Sequence, residues 1–171
     1  MENVPTRGDA LTTKHEPPTF YIRSQGRPSK EQMMMMMAYS AASRSACARR
    51  RSVGSIIVTT DMTNVIAIGY NGPPRGVNEP CTLTPDVPGT CTCVHAEANA
   101  LVKASYVESF LFTTMAPCAA CARLIMNSLV RAVFYHEAYR DTTGTDLLRG
   151  AGIQVIPVKL WVSEEDNDDG R

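Results

Sequence analysis

Four residues in two short runs have the types and spacing of a reaction centre. They are His95 and Glu97 in His95-Ala96-Glu97, and Cys118 and Cys121 in Pro117-Cys118-Ala119-Ala120-Cys121. One imidazole and two thiolates make a mixed N/S donor set of the kind that holds zinc. Two thiolates and a neutral imidazole leave the ion near charge neutrality and one position short of tetrahedral. Three protein ligands plus a water is the catalytic form of zinc, whereas four protein ligands is the structural form. The carboxylate of Glu97 then has a task, taking a proton from a water whose pKa the metal lowers to roughly 7. Either run alone is weak. A lone C-x-x-C fits a redox pair or half of a structural zinc site equally well, and a lone H-x-E carries almost no information. In this order, separated by a segment that reads as helix and then strand, the pair favours a catalytic site over a structural zinc knuckle.

The spacing also predicts how the chain delivers these groups. Pro117 suits the first position of a helix, where its missing N–H is no loss. That placement puts Cys118 and Cys121 on one face of the first turn, where backbone N–H groups and the helix dipole favour thiolates. His95 and Glu97 are two apart and would point to nearly opposite sides of a regular helix. They converge only if His95 sits at the helix entrance in non-helical backbone, with Asn99, Ala100, Leu101 and Val102 forming the helix body.

Stepping outward to the whole chain, 171 residues fit one domain with a substantial core. A composition of 44% hydrophobic and 20% charged residues is that of a soluble globular protein. Seventeen basic residues balance seventeen acidic ones, which argues against bulk attraction to nucleic acid or membranes. No apolar run reaches transmembrane length, and the polar, proline-bearing stretch from Met1 to Lys30 does not resemble a secretion signal. Six cysteines without an export signal point to a reducing compartment in which thiols serve metal. The expected location is the cytoplasm, or a host's cytoplasm if the chain is viral.

The elements that must position the two runs are legible as well. Residues 1–28 carry Pro5, Pro17, Pro18 and Pro28 with little apolar periodicity and read as an extended arm. Ser29 and Gln32 form a capping box for a helix from about Lys30 to Cys47. The methionine run Met33 to Met37 inside it reads as flexible packing rather than a subunit interface. Val53–Thr60 and Val65–Tyr70 read as β-branched strands joined by a turn at Asp61–Asn64. Asn71–Gly89, with five prolines, is a long loop. After it come the helix following His95, a strand Phe110–Thr114, the helix following Pro117, and a strand Ala132–Tyr135. A short helix Gly144–Arg149 and a strand Gln154–Val158 close the order α-β-β-α-β-α-β-α-β. That order implies a three-layer α-β-α sandwich with a central five-stranded mixed sheet. The acidic tail, residues 163–171, reads as solvated and mobile.

With both runs placed, H-x-E…P-C-x-x-C resembles the signature of the cytidine deaminase superfamily. Two further stretches narrow the resemblance to the deoxycytidylate (dCMP) deaminases of bacterial and phage type. Gly69-Tyr70-Asn71-Gly72-Pro73-Pro74-Arg75-Gly76 is similar to a G-Y-N-G-x-P-x-G loop, and Ser45-Ala46-Cys47-Ala48-Arg49 to an S-x-C-x-R run. The resemblance covers roughly residues 32–158, so 29–162 are expected to form a zinc-dependent deaminase domain. It implies hydrolysis of dCMP to dUMP for thymidylate synthesis, with His95, Cys118 and Cys121 on zinc and Glu97 shuttling protons. It further implies that the backbone of Ala96 and Cys118 and the carbonyl of Ala116 orient the pyrimidine. Asn71 would meet the deoxyribose, and Arg49 and Tyr139 the 5′-phosphate. A homo-oligomer is implied, a hexamer by analogy with small members. Regulated members respond to dCTP and dTTP, so a nucleoside triphosphate effector with Mg2+ is a further expectation. Lys103 and Tyr106 stand where some regulated members carry an aromatic residue and an arginine.

The remaining cysteines, Cys47, Cys81, Cys91 and Cys93, fall in the two regions where related proteins hold a second, structural zinc. Ordinary thiols are the alternative, since Cys91-Thr92-Cys93 is a cramped spacing for two ligands of one ion. For the activity, the alternatives are a 5-substituted dCMP, free (deoxy)cytidine, or a polynucleotide base. Neutral charge and few aromatic residues disfavour the polynucleotide, although Arg49-Arg50-Arg51 would suit one. From a different class, a non-catalytic zinc-stabilised assembly module would leave Glu97 without a task.

Overall fold

Successive strand residues point to opposite faces of a sheet, and the central strands here pack apolar side chains on both. The computed structural model describes residues 27–47, 51–77 and 92–160. Five strands form one sheet: β1 (Gly54–Thr59), β2 (Val65–Tyr70), β3 (Ser109–Met115), β4 (Val130–Glu137) and β5 (Gln154–Pro157). Their order is β2-β1-β3-β4-β5. β1 runs antiparallel to β2 and β3, whereas β3, β4 and β5 are parallel. The parallel pairs follow from β-α-β crossovers, which need a helix to carry the chain back. The helices are α1 (Lys30–Ala42), α2 (Ala96–Leu101), α3 (Ala119–Met126) and α4 (Thr143–Gly150).

Ile56, Val58, Phe112 and Phe134 cluster with Met34, Met35 and Ala38 of α1. Ile57, Leu111 and Val133, one residue out of phase, cluster with Ala100 of α2, Ala122 and Ile125 of α3, and Leu148 of α4. The sheet is therefore sandwiched, with α1 on one face and α2, α3 and α4 on the other among the described residues. This is the expected three-layer architecture. No helix among the described residues is long and apolar enough to cross a membrane.

The capping box is present. Ser29 Oγ accepts from the Gln32 N–H at 3.2 Å, and Gln32 Oε1 accepts from the Ser29 N–H at 2.9 Å. α1 stops at Ala42, however, and not at Cys47. Ser43 Oγ donates to Ser40 O at 2.7 Å, and the Arg44 and Ser45 N–H groups reach carbonyls only three residues back. These tightened bonds unwind the last turn, a competition for backbone groups at which serine is adept. Of the methionine run, Met34 and Met35 are buried while Met33 and Met37 are exposed. The expected arm falls outside the described residues apart from 27 and 28. The acidic tail, and the long loop from residue 78 onward through 91, lie outside them too.

Candidate metal centre

His95 is the N-cap of α2 and keeps extended backbone, φ −70° and ψ 154°. That resolves the two-residue spacing, because the imidazole leaves the chain before helical geometry begins and Glu97 follows inside the first turn. The segment around His95 is clamped on both sides. Val94 and Gly72 exchange backbone hydrogen bonds of 2.8 and 3.2 Å, and Asn99 Nδ2 donates to Tyr70 O at 2.8 Å. Gly69 lets β2 and α2 touch backbone to backbone: a Cβ there would lie 2.1 Å from Ala96 O and 2.5 Å from Ala100 N.

The second run is delivered differently from the sequence expectation. Cys118, not Pro117, opens α3: it is the N-cap, extended at φ −73° and ψ 168°, and its carbonyl accepts from Ala122 N at 2.8 Å. Pro117 sits one residue earlier and is fully buried. The reason lies in the β3–β4 ladder, which continues one step past Met115 through Ala116 N donating to Glu137 O at 2.9 Å. The chain stays extended until Cys118 as a result.

These placements bring the donors together. His95 Nδ1 lies 3.5 Å from Cys118 Sγ and 3.4 Å from Cys121 Sγ. All three donor atoms fall within 4.8 Å of one another. One nitrogen and two sulfurs at these separations fit a tetrahedral zinc with Zn–S near ~2.3 Å and Zn–N near ~2.0 Å, a position being left for a non-protein ligand. Cys121 is buried, and Glu97 is 4% exposed. The Cys118 thiol is held down at about 3, chiefly because the Cys121 S–H and His95 donate toward it, while the Cys121 thiol is pushed up by the same contact. A metal ion taking both sulfurs as thiolates would displace the proton that Cys121 holds. Burial pushes the Glu97 carboxyl up to about 7, against the opposing pull of its own backbone N–H and of His95. A carboxyl in that range exchanges protons at neutral pH, which suits general acid–base work.

The other expected site residues are placed as follows. Ala96 is the first residue of α2 and is fully buried; Ala116 is buried on the approach to Cys118; Tyr139 is exposed two residues beyond β4. The Asn71 amide is committed to the backbone, accepting from Val53 N at 2.8 Å and donating to Arg51 O at 3.1 Å. Among the described residues, that leaves one lone pair and one N–H on the amide for a further contact. Arg49, Cys81 and Cys91 lie outside the described residues. Cys47 and Cys93 are both buried. The Ala46 N–H donates to Asn71 O at 3.2 Å and Gly72 pairs with Val94, so the two cysteines flank the same Asn71–Gly72 segment.

One polar network was not foreseen. Tyr39 Oη lies 2.5 Å from His136 Nδ1 and donates to Glu137 Oε1 at 3.3 Å, and Glu137 also pairs with Arg51. It spans α1, the entrance to β1 and the end of β4, the same end of the sheet from which Ala116 leads to Cys118. Its bonded pairs are 86 to 98 residues apart in sequence, so no local spacing could have flagged it.

An α/β sandwich with N/S donors and a protonatable, buried carboxylate at adjoining helix entrances defines a class of zinc-centred domains. The chain belongs to the cytidine and deoxycytidylate deaminase zinc-binding family, which matches residues 28–137. It is 36% identical over 125 residues to the deoxycytidylate deaminase of Schizosaccharomyces pombe, a stretch covering 64% of this chain and 38% of that protein. The match therefore spans well under half of the yeast relative. It is 35% identical over 102 residues to the deoxycytidylate deaminase of Mycobacterium phage D29, covering 50% of this chain and 78% of that one. In three dimensions it is similar to the dCMP deaminase of cyanophage S-TIM5 crystallised with dCMP and dUMP, with a TM-score of 0.68 and 33% identity. That alignment covers 78% of this chain and 99% of the phage chain.

Proposed function

We propose that this chain hydrolyses dCMP to dUMP and ammonia. The observation that carries the reading is the buried Glu97 carboxyl, pushed up to about 7, beside the converging donors of His95, Cys118 and Cys121. A purely structural metal knuckle has no use for such a group. The dCMP- and dUMP-bound phage relative supports the choice of substrate.

His95, Cys118 and Cys121 would hold the zinc, which when bound makes water nucleophilic at neutral pH. The chain's own residues do the rest. Cytosine C4 is a poor electrophile until the adjacent N3 is protonated. Glu97 accepts a proton from water and delivers it to N3, which improves nucleophile and electrophile together. The same carboxylate then takes the remaining proton from the C4 hydroxyl and passes it to the amine, so that the C4–N bond breaks, ammonia leaves and the C4 carbonyl forms. The N–H groups of Ala96 and Cys118 and the carbonyl of Ala116 would orient the pyrimidine, Asn71 the sugar, and Arg49 and Tyr139 the phosphate.

The finer assignments belong to the same reading: a second zinc on Cys47, Cys81, Cys91 and Cys93, a homohexamer, dCTP and dTTP as effectors with Mg2+, and a cytoplasmic role in supplying dUMP. Residues 29–162 would be the catalytic domain, between an N-terminal arm and an acidic tail. Purified protein incubated with dCMP should lose the cytosine absorbance and yield dUMP. Deoxycytidine and 5-methyl-dCMP run alongside test the alternatives, and turnover of deoxycytidine in preference to dCMP would overturn the nucleotide assignment. Metal analysis tests the second site, where two zinc ions per chain is the expected result and one zinc with four titrating thiols the contrary one.

A further inference from the structure

Gly144 lies outside both metal-ligand runs, yet its Cα packs directly on the backbone of one of them. A Cβ at Gly144 would stand 2.0 Å from Pro117 O, 2.7 Å from the Cys118 carbonyl carbon and 2.9 Å from Cys118 O. All three are backbone atoms, so no side-chain rotation relieves the overlap. Real Cβ contacts are not found below 3.0 Å, so either α4 or the Pro117–Cys118 segment must move by about an ångström. Four residues on from Gly144 and on the same face, Leu148 is fully buried in the cluster with Ala122 and Ile125, which holds α4 down on α3. The first turn of α4 is tied by Thr145 Oγ1 donating to Thr142 O at 2.8 Å and by Asp141 accepting from Thr143 N at 2.9 Å. Pro117 is itself fully buried, and Cys118 O accepts the first hydrogen bond of α3 from Ala122 N. A push on Cys118 would therefore carry into the turn that holds Cys121. Metal–ligand bonds tolerate errors of only about 0.2 Å.

We propose that Gly144 is a positioning residue for the metal: its missing side chain lets α4 brace the Cys118 backbone, and so sets the separation of the two sulfurs. The inference rests on the reading that His95, Cys118 and Cys121 hold zinc. Its internal control is Gly54, where a Cβ would be equally tight, 2.0 Å from Ala38 O and 2.5 Å from Ala42 N, but against α1 on the opposite face of the sheet. Both Gly144→Ala and Gly54→Ala should lower thermal stability, since both force backbone apart. Only Gly144→Ala should weaken zinc binding, by about 10- to 100-fold in chelator competition, as is typical when support behind a ligand is lost. The cobalt-substituted Gly144→Ala protein should also show altered thiolate-to-cobalt absorption, a signature that a general loss of stability does not produce. Wild-type affinity and spectrum in Gly144→Ala, or equal loss of affinity in both variants, would overturn the proposal. Should Gly144→Ala fail to fold, hydrogen exchange on the wild-type chain decides. Chelation of the zinc should raise exchange across 143–146 more than across 38–42, by the reciprocity of coupled equilibria, and equal changes would sink the idea. A wild-type chain that binds no zinc at all would instead overturn the metal reading itself.

Discussion

His95 and Cys118 occupy the same position on two different helices. Each is an N-cap with nearly identical extended backbone, and neither side chain caps its own helix; instead Nδ1 and Sγ meet at 3.5 Å. An N-cap side chain normally accepts from the N2 or N3 amide and stabilises the helix by ~1 kcal/mol. Both helices forgo that contact so that two donors, 23 residues apart, can face each other. The arrangement also explains why His95 and Glu97, two apart, reach one centre.

Glu97→Gln should leave the fold and zinc content intact and lower turnover of dCMP by about 100- to 10,000-fold, because an amide neither takes nor gives the proton. The amide is of similar shape and removes a group that is costly to bury charged. Stability should therefore be unchanged or higher. Steady-state kinetics with metal analysis of the same sample checks both halves, and activity within a factor of a few of wild type would remove Glu97 from the chemistry.

Zinc affinity should fall as pH is lowered. Zinc needs both Cys118 and Cys121 as thiolates and His95 neutral, while contact with Cys118 and burial push the Cys121 thiol up. Binding therefore releases protons, and acid drives the reverse reaction. Chelator competition across pH 5 to pH 8, roughly the range in which such ligands protonate, should show progressive loss toward the acid end. An affinity independent of pH would contradict this donor set.

His136 should make the fold acid-sensitive. Burial holds its imidazole below the ordinary value, with Glu137 opposing, and Tyr39 hydrogen-bonds Nδ1. A lowered folded pKa means the unfolded chain binds the proton more readily. The contribution of the neutral ring is thus fully present above the unfolded value near ~6.5 and is lost as pH falls through the folded one. His136→Asn should flatten the decline in melting temperature between about pH 7 and pH 5. A decline as steep as that of the wild type would place the acid-sensitive group elsewhere.

Phe112 should be among the most costly core positions. It is fully buried and stacks on Phe134 with ring centroids 4.4 Å apart and planes within 7°. Phe112→Ala should cost about 3–5 kcal/mol, from lost transfer energy plus the cavity left beneath α1. Denaturant titration reads this directly, and a loss below about 1 kcal/mol would mean the site collapses freely.

Much of this protein is determined by sequence alone, because the signals involved are local. The donor types and their spacing name the metal, the capping box at Ser29 and Gln32 starts α1, and runs rich in β-branched residues mark β1 and β2. The element order then admits few topologies, and the mixed sheet follows. Other features were decided only by tertiary structure. Whether Pro117 or Cys118 opens α3 depends on how far the β3–β4 ladder runs, which is settled by the Ala116 N–H reaching Glu137 O. The end of α1 depends on competing serine hydrogen bonds. The Tyr39–His136–Glu137–Arg51 network and the seat of Gly144 on Cys118 join residues 26 to 98 positions apart. Their physical basis is close packing between elements, which periodicity and spacing along one chain do not encode.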